Sequence, residues 1–311
     1  MSELADTAGE YLRLRRLLGH NLDEAHRLLP RFVDYLDSIE ATTVTVDAAI
    51  AWATDGIDPA TTVGARRIGI ARGFARHMAG IDEHTEIPPL GMIPMKQRWR
   101  PPFLFTPSDI EALLATARSI AWRLPAATHE TLLGLLAATG LRVGEALRLE
   151  PTDIDRDQSV LVIRESKFGK SRLVPIMPDT LAALDRYIEN CNHLLRAERT
   201  TTRLFISVRG AELIYPVVQQ VFRRLCDTAS IGVGAPHQPR IHDLRHTFAV
   251  TVLTGWYRNG DNIEVRLPAL STYLGHKDPR STYWYLSAAP ELLAHAARKL
   301  GELPIREEPV Q

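Results

Sequence analysis

One stretch near the end of the chain combines aromatic, cationic and imidazole side chains: YLGHKDPRSTYWYLSAAP, residues 273–290. Tyr285 stands nine residues after His276 and two residues after Tyr283. A tyrosine hydroxyl, with a pKa of about 10, is a poor nucleophile on its own. It attacks a phosphate diester only where cations neutralise the developing charge and another group protonates the leaving oxygen. The stretch therefore raises the question of which other segments supply those groups.

Two segments each place a cationic side chain at a predicted turn or helix start. Arg142, in ATGLRVGEALRL, stands between Gly140 and a new helix, where its side chain can project into a cleft. Lys167 and Lys170, in RESKFGKSRLVPI, lie on or beside the tip of a predicted β-hairpin. Taken alone, each segment is typical of ordinary solvated side chains.

A third segment, IHDLRHTFAV at 241–250, carries His242, Arg245 and His246 at helical spacing, so they share one helix face. Such a face can hold a phosphate, because a guanidinium grips two oxygens at once. HDLRH also differs from the zinc-protease pattern H-E-x-x-H only by Asp243, so a zinc hydrolase is an alternative. The shorter Asp243 and the intervening Arg245 weaken that alternative.

Helices and strands must position these segments. The apolar spacing of the first 85 residues predicts four helices in a small bundle. Thr45 and Asp23 are predicted helix caps, and Gly19, Gly56 and Gly80 predicted stops. Residues 87–106, rich in proline and basic side chains, are predicted to be a linker.

The remainder, 107–311, is predicted to be helical with one small antiparallel sheet, so the fold class is mainly α with a small antiparallel β-sheet. Thr106 before Pro107 predicts a helix start, and Gly140 predicts a helix end. SVLVIRES, KFGK and SRLVPI predict strand, turn and strand. The segment 287–304 predicts a final amphipathic helix.

Bulk composition narrows the class of protein without selecting one. With 311 residues, 45% hydrophobic and 24% charged, the chain is typical of a soluble globular protein of two domains. We expect no membrane span, no secretory signal and a cytoplasmic location, the last from only two, widely separated cysteines. The 37 basic and 37 acidic residues cancel, which argues mildly against a nucleic-acid binder, although local basic patches remain.

Together the motifs TGLRVGEAL, K…R.VPI, HDLRHTFA and LGH, with a tyrosine nine residues beyond the last, resemble the tyrosine recombinase (phage integrase) family. The resemblance covers about 107–300. The helical first domain, 1–86, is similar to that family's SAM-like core-binding DNA-binding domain, and 107–311 to its α+β catalytic domain.

The resemblance implies a role for each matching residue. Arg142 and Arg245 would clamp the scissile phosphate, and His276 would donate a hydrogen bond to it. Lys167, with Lys170 as a substitute, would protonate the departing 5′-oxygen, and His242 would assist proton transfer at the nucleophile, Tyr285. Tyr283 is the alternative nucleophile. Further DNA contacts are expected from basic residues of the first domain, linker and hairpin: Arg66, Arg67, Arg72, Arg76, Lys96, Arg98, Arg100, Lys170 and Arg172.

The resemblance also implies an activity and partners. Site-specific cleavage and rejoining of DNA would pass through a 3′-phosphotyrosyl intermediate, with no metal, ATP or other cofactor. The partners would be double-stranded DNA with an inverted-repeat site and, in a synaptic complex, three further copies of the chain. Off DNA we expect a monomer or dimer. The need for an accessory protein or a second recombinase stays open.

Other interpretations remain. These are a catalytically inactive DNA-binding protein of the same fold, a topoisomerase of related chemistry and the zinc hydrolase. The segment between HDLRH and LGH is longer than the usual family connection, which leaves the geometry around His276 to be established.

Overall fold

The computed structural model describes residues 2–20, 22–94, 101–164, 171–276, 278 and 280–288 of the chain. The chain divides into two compact units, Met1–Arg100 and Pro101–Gln311. No helix within the described ranges combines the length and apolar character that a bilayer span requires. The predicted carboxyl-terminal helix, 287–304, lies almost wholly outside the described residues.

The described part of the first unit consists of helices packed around one core. They are α1 (Glu3–Leu17), α2 (Asp23–Ser38), α3 (Val46–Thr54) and α4 (Val63–Met78). The predicted cap Thr45 is confirmed, because its side chain accepts a hydrogen bond from the backbone of Ala48. The prediction for Asp23 is wrong: Asp23 is the first residue of α2, and Leu22 occupies the cap position without a side-chain bond.

The core of this unit forms because α2, α3 and α4 each bury one apolar face. Phe32 and Leu36 of α2 and Phe74 of α4 are fully buried. The ring of Phe32 lies against that of Trp52 in α3, with centroids 4.8 Å apart. Aromatic side chains bury large apolar areas, so this cluster carries much of the unit's hydrophobic stabilisation.

The second unit begins with helices around a larger core. They are α5 (Pro107–Arg118), α6 (Arg123–Thr139), α7 (Val143–Arg148), α8 (Pro178–Leu194) and α9 (Tyr215–Thr228). The predicted start of α5 is confirmed: Thr106 accepts from the backbone of Asp109, and Asp109 accepts from that of Thr106, a reciprocal cap.

Between α7 and α8 lies a three-stranded antiparallel sheet in the order β1-β2-β3. Its strands are β1 (Ile154–Asp155), β2 (Val160–Ile163) and β3 (Arg172–Pro175). The pair β2 and β3 is the predicted hairpin, with Ile163 opposite Arg172. The two-residue β1 has too few residues to show the alternation by which a strand is recognised in a sequence. The predicted fold class, mainly α with a small antiparallel sheet, is confirmed.

Three helices complete the described part of this unit: α10 (Asp243–Arg258), α11 (Ile263–Leu274) and α12 (Arg280–Ala288). They share an apolar cluster that includes Leu253, Leu274 and Tyr285. Gly140 and Gly275 end α6 and α11 in the left-handed conformation, with φ of 61° and 68°. Glycine adopts this conformation without steric cost, so both helices stop sharply and direct their last carbonyls at neighbouring side chains.

Candidate active site

The carbonyl ends of α6 and α11 hold two arginines that are far apart in the chain. Arg245 is buried and donates from Nη1 to the carbonyl of Gly140 at 2.8 Å and from Nη2 to that of Leu274 at 2.6 Å. Arg142 donates from Nη2 to the carbonyl of Gly275 at 2.9 Å. The last carbonyls of a helix lack partners within it and carry partial negative charge, so they suit guanidinium donors. Both guanidinium groups are thereby held next to each other at the end of α11.

These two guanidinium groups also influence each other. Burial lowers the pKa of Arg245 to about 10, and the charge of Arg142 acts in the same direction. Arg245 therefore stays protonated near neutral pH, although it lies in the interior with a second cation close by. The two positive charges repel each other, and a bound anion would reduce that repulsion.

Glu145 supplies the buried negative charge beside them. Its Oε1 accepts from Arg142 Nη1 at 2.8 Å and from Arg172 Nη1 at 3.0 Å. Its Oε2 accepts from Arg172 Nη2 at 2.8 Å and from the backbone N–H of Arg142 at 3.0 Å. Burial by itself would raise the pKa of Glu145, but the hydrogen bonds and charges of Arg172 and Arg142 lower it to about 2. The carboxylate thus remains ionised and holds both arginines in place.

Arg172 also belongs to this network, and its predicted contact with DNA stays a prediction. Besides its two bonds to Glu145, it donates from Nε to the carbonyl of Tyr273 at 2.8 Å. Its side chain is 9% exposed. Three of the five N–H groups of this guanidinium are engaged inside the unit, so Arg172 positions Glu145 and the end of α11.

His242 and His246 lie one turn apart at the start of α10, with ring centroids 4.8 Å apart and planes perpendicular. His242 keeps an exposed edge, and its pKa falls to about 4, first through desolvation of the ring and then through the charge of Arg245. Desolvation, followed by the neighbouring His242, lowers the pKa of His246 to about 3. Both imidazoles are therefore neutral near pH 7, and a neutral imidazole can accept a proton.

Asp243, the residue that the zinc alternative needs as a general base, is occupied elsewhere. Its buried carboxylate accepts from Nη2 of Arg240 at 2.9 Å and from the backbone N–H of Arg240 at 2.8 Å. It therefore stabilises the start of α10. Among the described residues, no group of three His, Cys, Asp or Glu side chains is arranged to hold a metal ion.

Two aromatic rings of the opening stretch reach His246 from α12, those of Trp284 and Tyr285, and the one that carries a hydroxyl is Tyr285. It is 2% exposed, whereas Tyr283 is 51% exposed. Its ring stacks on that of His276 with centroids 6.1 Å apart, and lies 5.5 Å from that of His246. Burial raises the pKa of Tyr285, while the charge and a hydrogen bond of Arg245 act to lower it. Of the two tyrosines, only Tyr285 lies beside the buried arginine.

His276 follows the Gly275 cap and is held from two sides. Its backbone N–H donates to the carbonyl of Ser271 at 3.0 Å, at the end of α11. Its Nδ1 lies 2.7 Å from Oγ1 of Thr282 in α12. Desolvation lowers the pKa of His276 to about 4, with the charge of Arg245 next in size. The ring is therefore neutral near pH 7 and fixed in orientation.

Comparisons with known proteins agree on one family. The family model described as "Phage integrase family" matches residues 104–291. The integrase/recombinase y4rB of Sinorhizobium fredii is 38% identical over 306 residues, covering 96% of this chain and 98% of the relative. The chain belongs to the phage integrase family, the tyrosine recombinases. The sequence-based identification of the family is therefore confirmed.

A further relative and a solved structure are also similar to this tyrosine recombinase. The tyrosine recombinase XerD of Caulobacter vibrioides is 31% identical over 281 residues, covering 89% of this chain and 86% of the relative. A solved structure of the Tn1549 transposon integrase in complex with a circular intermediate DNA has a TM-score of 0.65 at 19% identity, covering 96% of this chain and 99% of that one. At that identity the second likeness concerns the fold.

The structure brings together five of the six residues that the sequence predicts to be catalytic in this recombinase. They are Arg142, His242, Arg245, His276 and Tyr285, drawn from the start of α7, the start of α10 and the α11–α12 region. The hairpin lysines Lys167 and Lys170 lie outside the described residues, as do Lys96, Arg98 and Arg100 of the predicted linker.

The predicted DNA-contacting arginines of α4 have mixed surroundings. Three of them interact within the first unit, and Arg76 is exposed. The partners are Glu24 for Arg66, the carbonyls of Trp52 and Asp55 for Arg67, and the carbonyls of Pro88 and Pro89 for Arg72. Arg66, Arg67 and Arg72 therefore each have a partner inside the first unit. Their contact with DNA stays a prediction.

Sequence reasoning missed two residues of the cluster, Glu145 and Thr282. Glu145 stands three residues after Arg142, the position at which an acidic side chain caps a helix start, and this signal was available. Thr282 has no comparable signal, because its neighbour His276 is fixed by the packing of α12 on α11.

Proposed function

We propose that this tyrosine recombinase cleaves and rejoins DNA at a specific site, with Tyr285 as nucleophile and a 3′-phosphotyrosyl link as intermediate. One observation carries the proposal: the buried Tyr285 lies against Arg245 and His276, with Arg142 anchored beside them on the same helix end. These groups form a cationic pocket around a hydroxyl, which is the requirement for attack on a phosphate diester without metal.

Charge neutralisation falls to Arg142 and Arg245. Each keeps its guanidinium fixed by backbone carbonyls, so little reorganisation accompanies the binding of phosphate oxygens. Arginines that stabilise a phosphoryl-transfer transition state contribute about 10³–10⁵ in rate, which corresponds to roughly 4–7 kcal/mol. Two of them replace the charge that divalent ions supply in other phosphoryl-transfer enzymes.

Proton movements complete the proposed reaction. The Tyr285 hydroxyl must lose its proton, and the neutral His242 is available to accept it. The tyrosine oxygen then bonds to phosphorus while the bond from phosphorus to the 5′-oxygen breaks. Lys167, the family's hairpin lysine, would protonate that leaving oxygen. One ester replaces another, so the bond energy is kept for rejoining and ATP is not needed.

The proposed partner is double-stranded DNA carrying an inverted-repeat site. The Tn1549 integrase of similar fold is described in complex with a circular intermediate DNA. Strand exchange between two such sites requires four cleavages, so we propose that four copies of the chain act together. The proposed further DNA contacts are Arg66, Arg67, Arg72, Arg76, Lys96, Arg98, Arg100, Lys170 and Arg172.

The test is covalent capture of DNA without metal or ATP. Labelled fragments flanking the chain's own gene are incubated with wild type, Tyr285→Phe and Tyr283→Phe in EDTA, and the reactions are stopped with SDS. We expect a protein–DNA adduct with wild type and with Tyr283→Phe, and none with Tyr285→Phe. Tyr283→Phe is the matched control, because it removes a hydroxyl two residues away on the same helix.

Two results would contradict the proposal. Loss of the adduct in Tyr283→Phe alone would move the nucleophile to the exposed tyrosine. Fragments that shift on a native gel but never form an adduct would indicate a binding-only protein.

A further inference from the structure

His276 can act on a phosphate only if the ring nitrogen that faces it carries a proton. A neutral imidazole has one N–H and one lone pair, and the two nitrogens exchange these roles between tautomers. In the proposed reaction His276 donates a hydrogen bond to phosphate. The tautomer is therefore a structural requirement that some other group has to set.

Thr282 is the group in contact with the second ring nitrogen. Its Oγ1 lies 2.7 Å from Nδ1 of His276, and the residue is fully buried. The two atoms are within hydrogen-bond distance, and either the hydroxyl or the ring nitrogen can be the donor. The direction of this bond decides which ring nitrogen of His276 carries the proton.

If Nδ1–H donated to Thr282, Nε2 would carry only a lone pair and could not donate to a phosphate oxygen. If the hydroxyl donates to Nδ1, its proton is satisfied and the lone pair of Nδ1 is used. The ring proton then resides on Nε2, and this nitrogen becomes the donor. Only a Thr282 hydroxyl that donates to Nδ1 is therefore compatible with His276 as a hydrogen-bond donor to phosphate.

The placement of Thr282 connects His276 to the nucleophile. Thr282 and Tyr285 are three residues apart on α12, so they lie on the same face of that helix. The backbone of His276 is held by the end of α11 through Ser271. The ring is thus oriented from α12 and the main chain from α11, and the Tyr285 ring stacks on it.

We propose that Thr282 is a positioning residue that donates its hydroxyl proton to Nδ1 of His276 and so fixes the Nε2–H tautomer for the phosphate. This inference deepens the proposed function and rests on it for the role of His276. The tautomer itself is a property of the DNA-free protein and can be measured without any cleavage.

The first measurement is the tautomer of His276 in the full chain. Protein labelled with ¹⁵N in histidine is studied by long-range ¹H–¹⁵N correlation at pH 7, and the His276 signals are assigned by their loss in His276→Gln. We expect Nε2 to be the protonated nitrogen in wild type and in Thr282→Ser, and the single tautomer to be lost in Thr282→Val. A wild-type ring protonated on Nδ1 would overturn the proposal even if both Thr282 variants failed to fold.

The second measurement is the single-turnover rate of adduct formation at saturating DNA. Partners that orient metal-ligating histidines contribute about 10- to 100-fold in activity. We expect a loss of the same order for Thr282→Val, with unchanged DNA affinity. Thr282→Ser keeps the hydroxyl and should restore most of the rate. Ser281→Ala, on the exposed side of the same helix, is the matched control and should match wild type.

The two measurements separate the inference from the proposed function. Thr282→Val that cleaves at the wild-type rate, or that slows while His276 keeps a single Nε2–H tautomer, would overturn the tautomer argument. A wild type with the expected tautomer that forms no adduct on its DNA would instead count against the proposed function.

Discussion

Replacing Glu145 with glutamine tests whether the arginine cluster depends on one buried charge. The carboxylate accepts four hydrogen bonds, two from Arg172, one from the Arg142 side chain and one from the Arg142 backbone. The Glu145→Gln side chain has the same shape, but its amide nitrogen would face donors with another donor. We expect a less stable second unit and a slower cleavage step, because Arg142 keeps the Gly275 carbonyl but loses its carboxylate partner.

The magnitude follows from the pKa of Glu145. Its ordinary value of 4.5 falls to about 2 in the folded chain. At about 1.4 kcal/mol for each tenfold change in proton affinity, this difference corresponds to ~3 kcal/mol of stabilisation at pH 7. Removing one partner of a buried ion pair costs about 3–5 kcal/mol, which agrees. Because the folded-state pKa is the lower one, the stabilisation is present above pH 4.5 and declines as the pH falls towards 2.

The assay is urea unfolding of the full chain at pH 7 and pH 3, followed by circular dichroism. Glu145→Gln should lower the unfolding free energy by ~3 kcal/mol at pH 7 and by less than half of that at pH 3. Glu150→Gln is the matched control: Glu150 pairs with Arg203 at 3.1 Å, but its side chain is 34% exposed. An exposed pair contributes about 1 kcal/mol or less. A Glu145→Gln protein within about 0.5 kcal/mol of wild type at pH 7 would refute the reasoning.

Two more outcomes follow from the same geometry. Gly275→Ala should destabilise the protein by about 2 kcal/mol or more and slow cleavage, because φ is 68° and the added Cβ would lie 2.7 Å from Nη1 of Arg172. Gly19→Ala, at φ 79° in open space, should cost only about 1 kcal/mol in urea unfolding, and equal losses would contradict this account. Since the pKa of His242 is about 4, its neutral form should persist from pH 8 to pH 5.5. The single-turnover cleavage rate should therefore show no loss from His242 protonation in that range, and an inflection near pH 6.5 that is absent in His242→Asn would contradict it.

Much of the local structure could be predicted because its causes lie within a few residues. The caps at Thr45 and Thr106 and the stop at Gly140 were recognised from side-chain type and position. The cap at Asp23 was wrong because a capping residue and the first residue of a helix differ by one position, which the sequence pattern does not resolve. The short β1 had no pattern to detect.

The motif residues were recognised by type and order, and the family they indicate is confirmed. The hydrogen-bond and ion-pair partners of these residues could not be recognised in the same way. Arg172 looked like any hairpin cation, but its partners are Glu145, which is 27 residues away, and Tyr273, which is 101 residues away. Thr282 looked like an ordinary helix residue until the end of α11 brought His276 to it.

The amino-acid sequence by itself therefore determined the helix boundaries near strong caps, the mainly helical class and the order of the motif residues. Tertiary structure alone decided which cations stay directed at one pocket and which are neutralised inside the fold. Arg142 reaches the carbonyl of Gly275 across 133 residues and Arg245 that of Gly140 across 105. Such contacts arise from the packing of helices that are distant in sequence, whereas caps and periodicity reflect only neighbours within a turn or two.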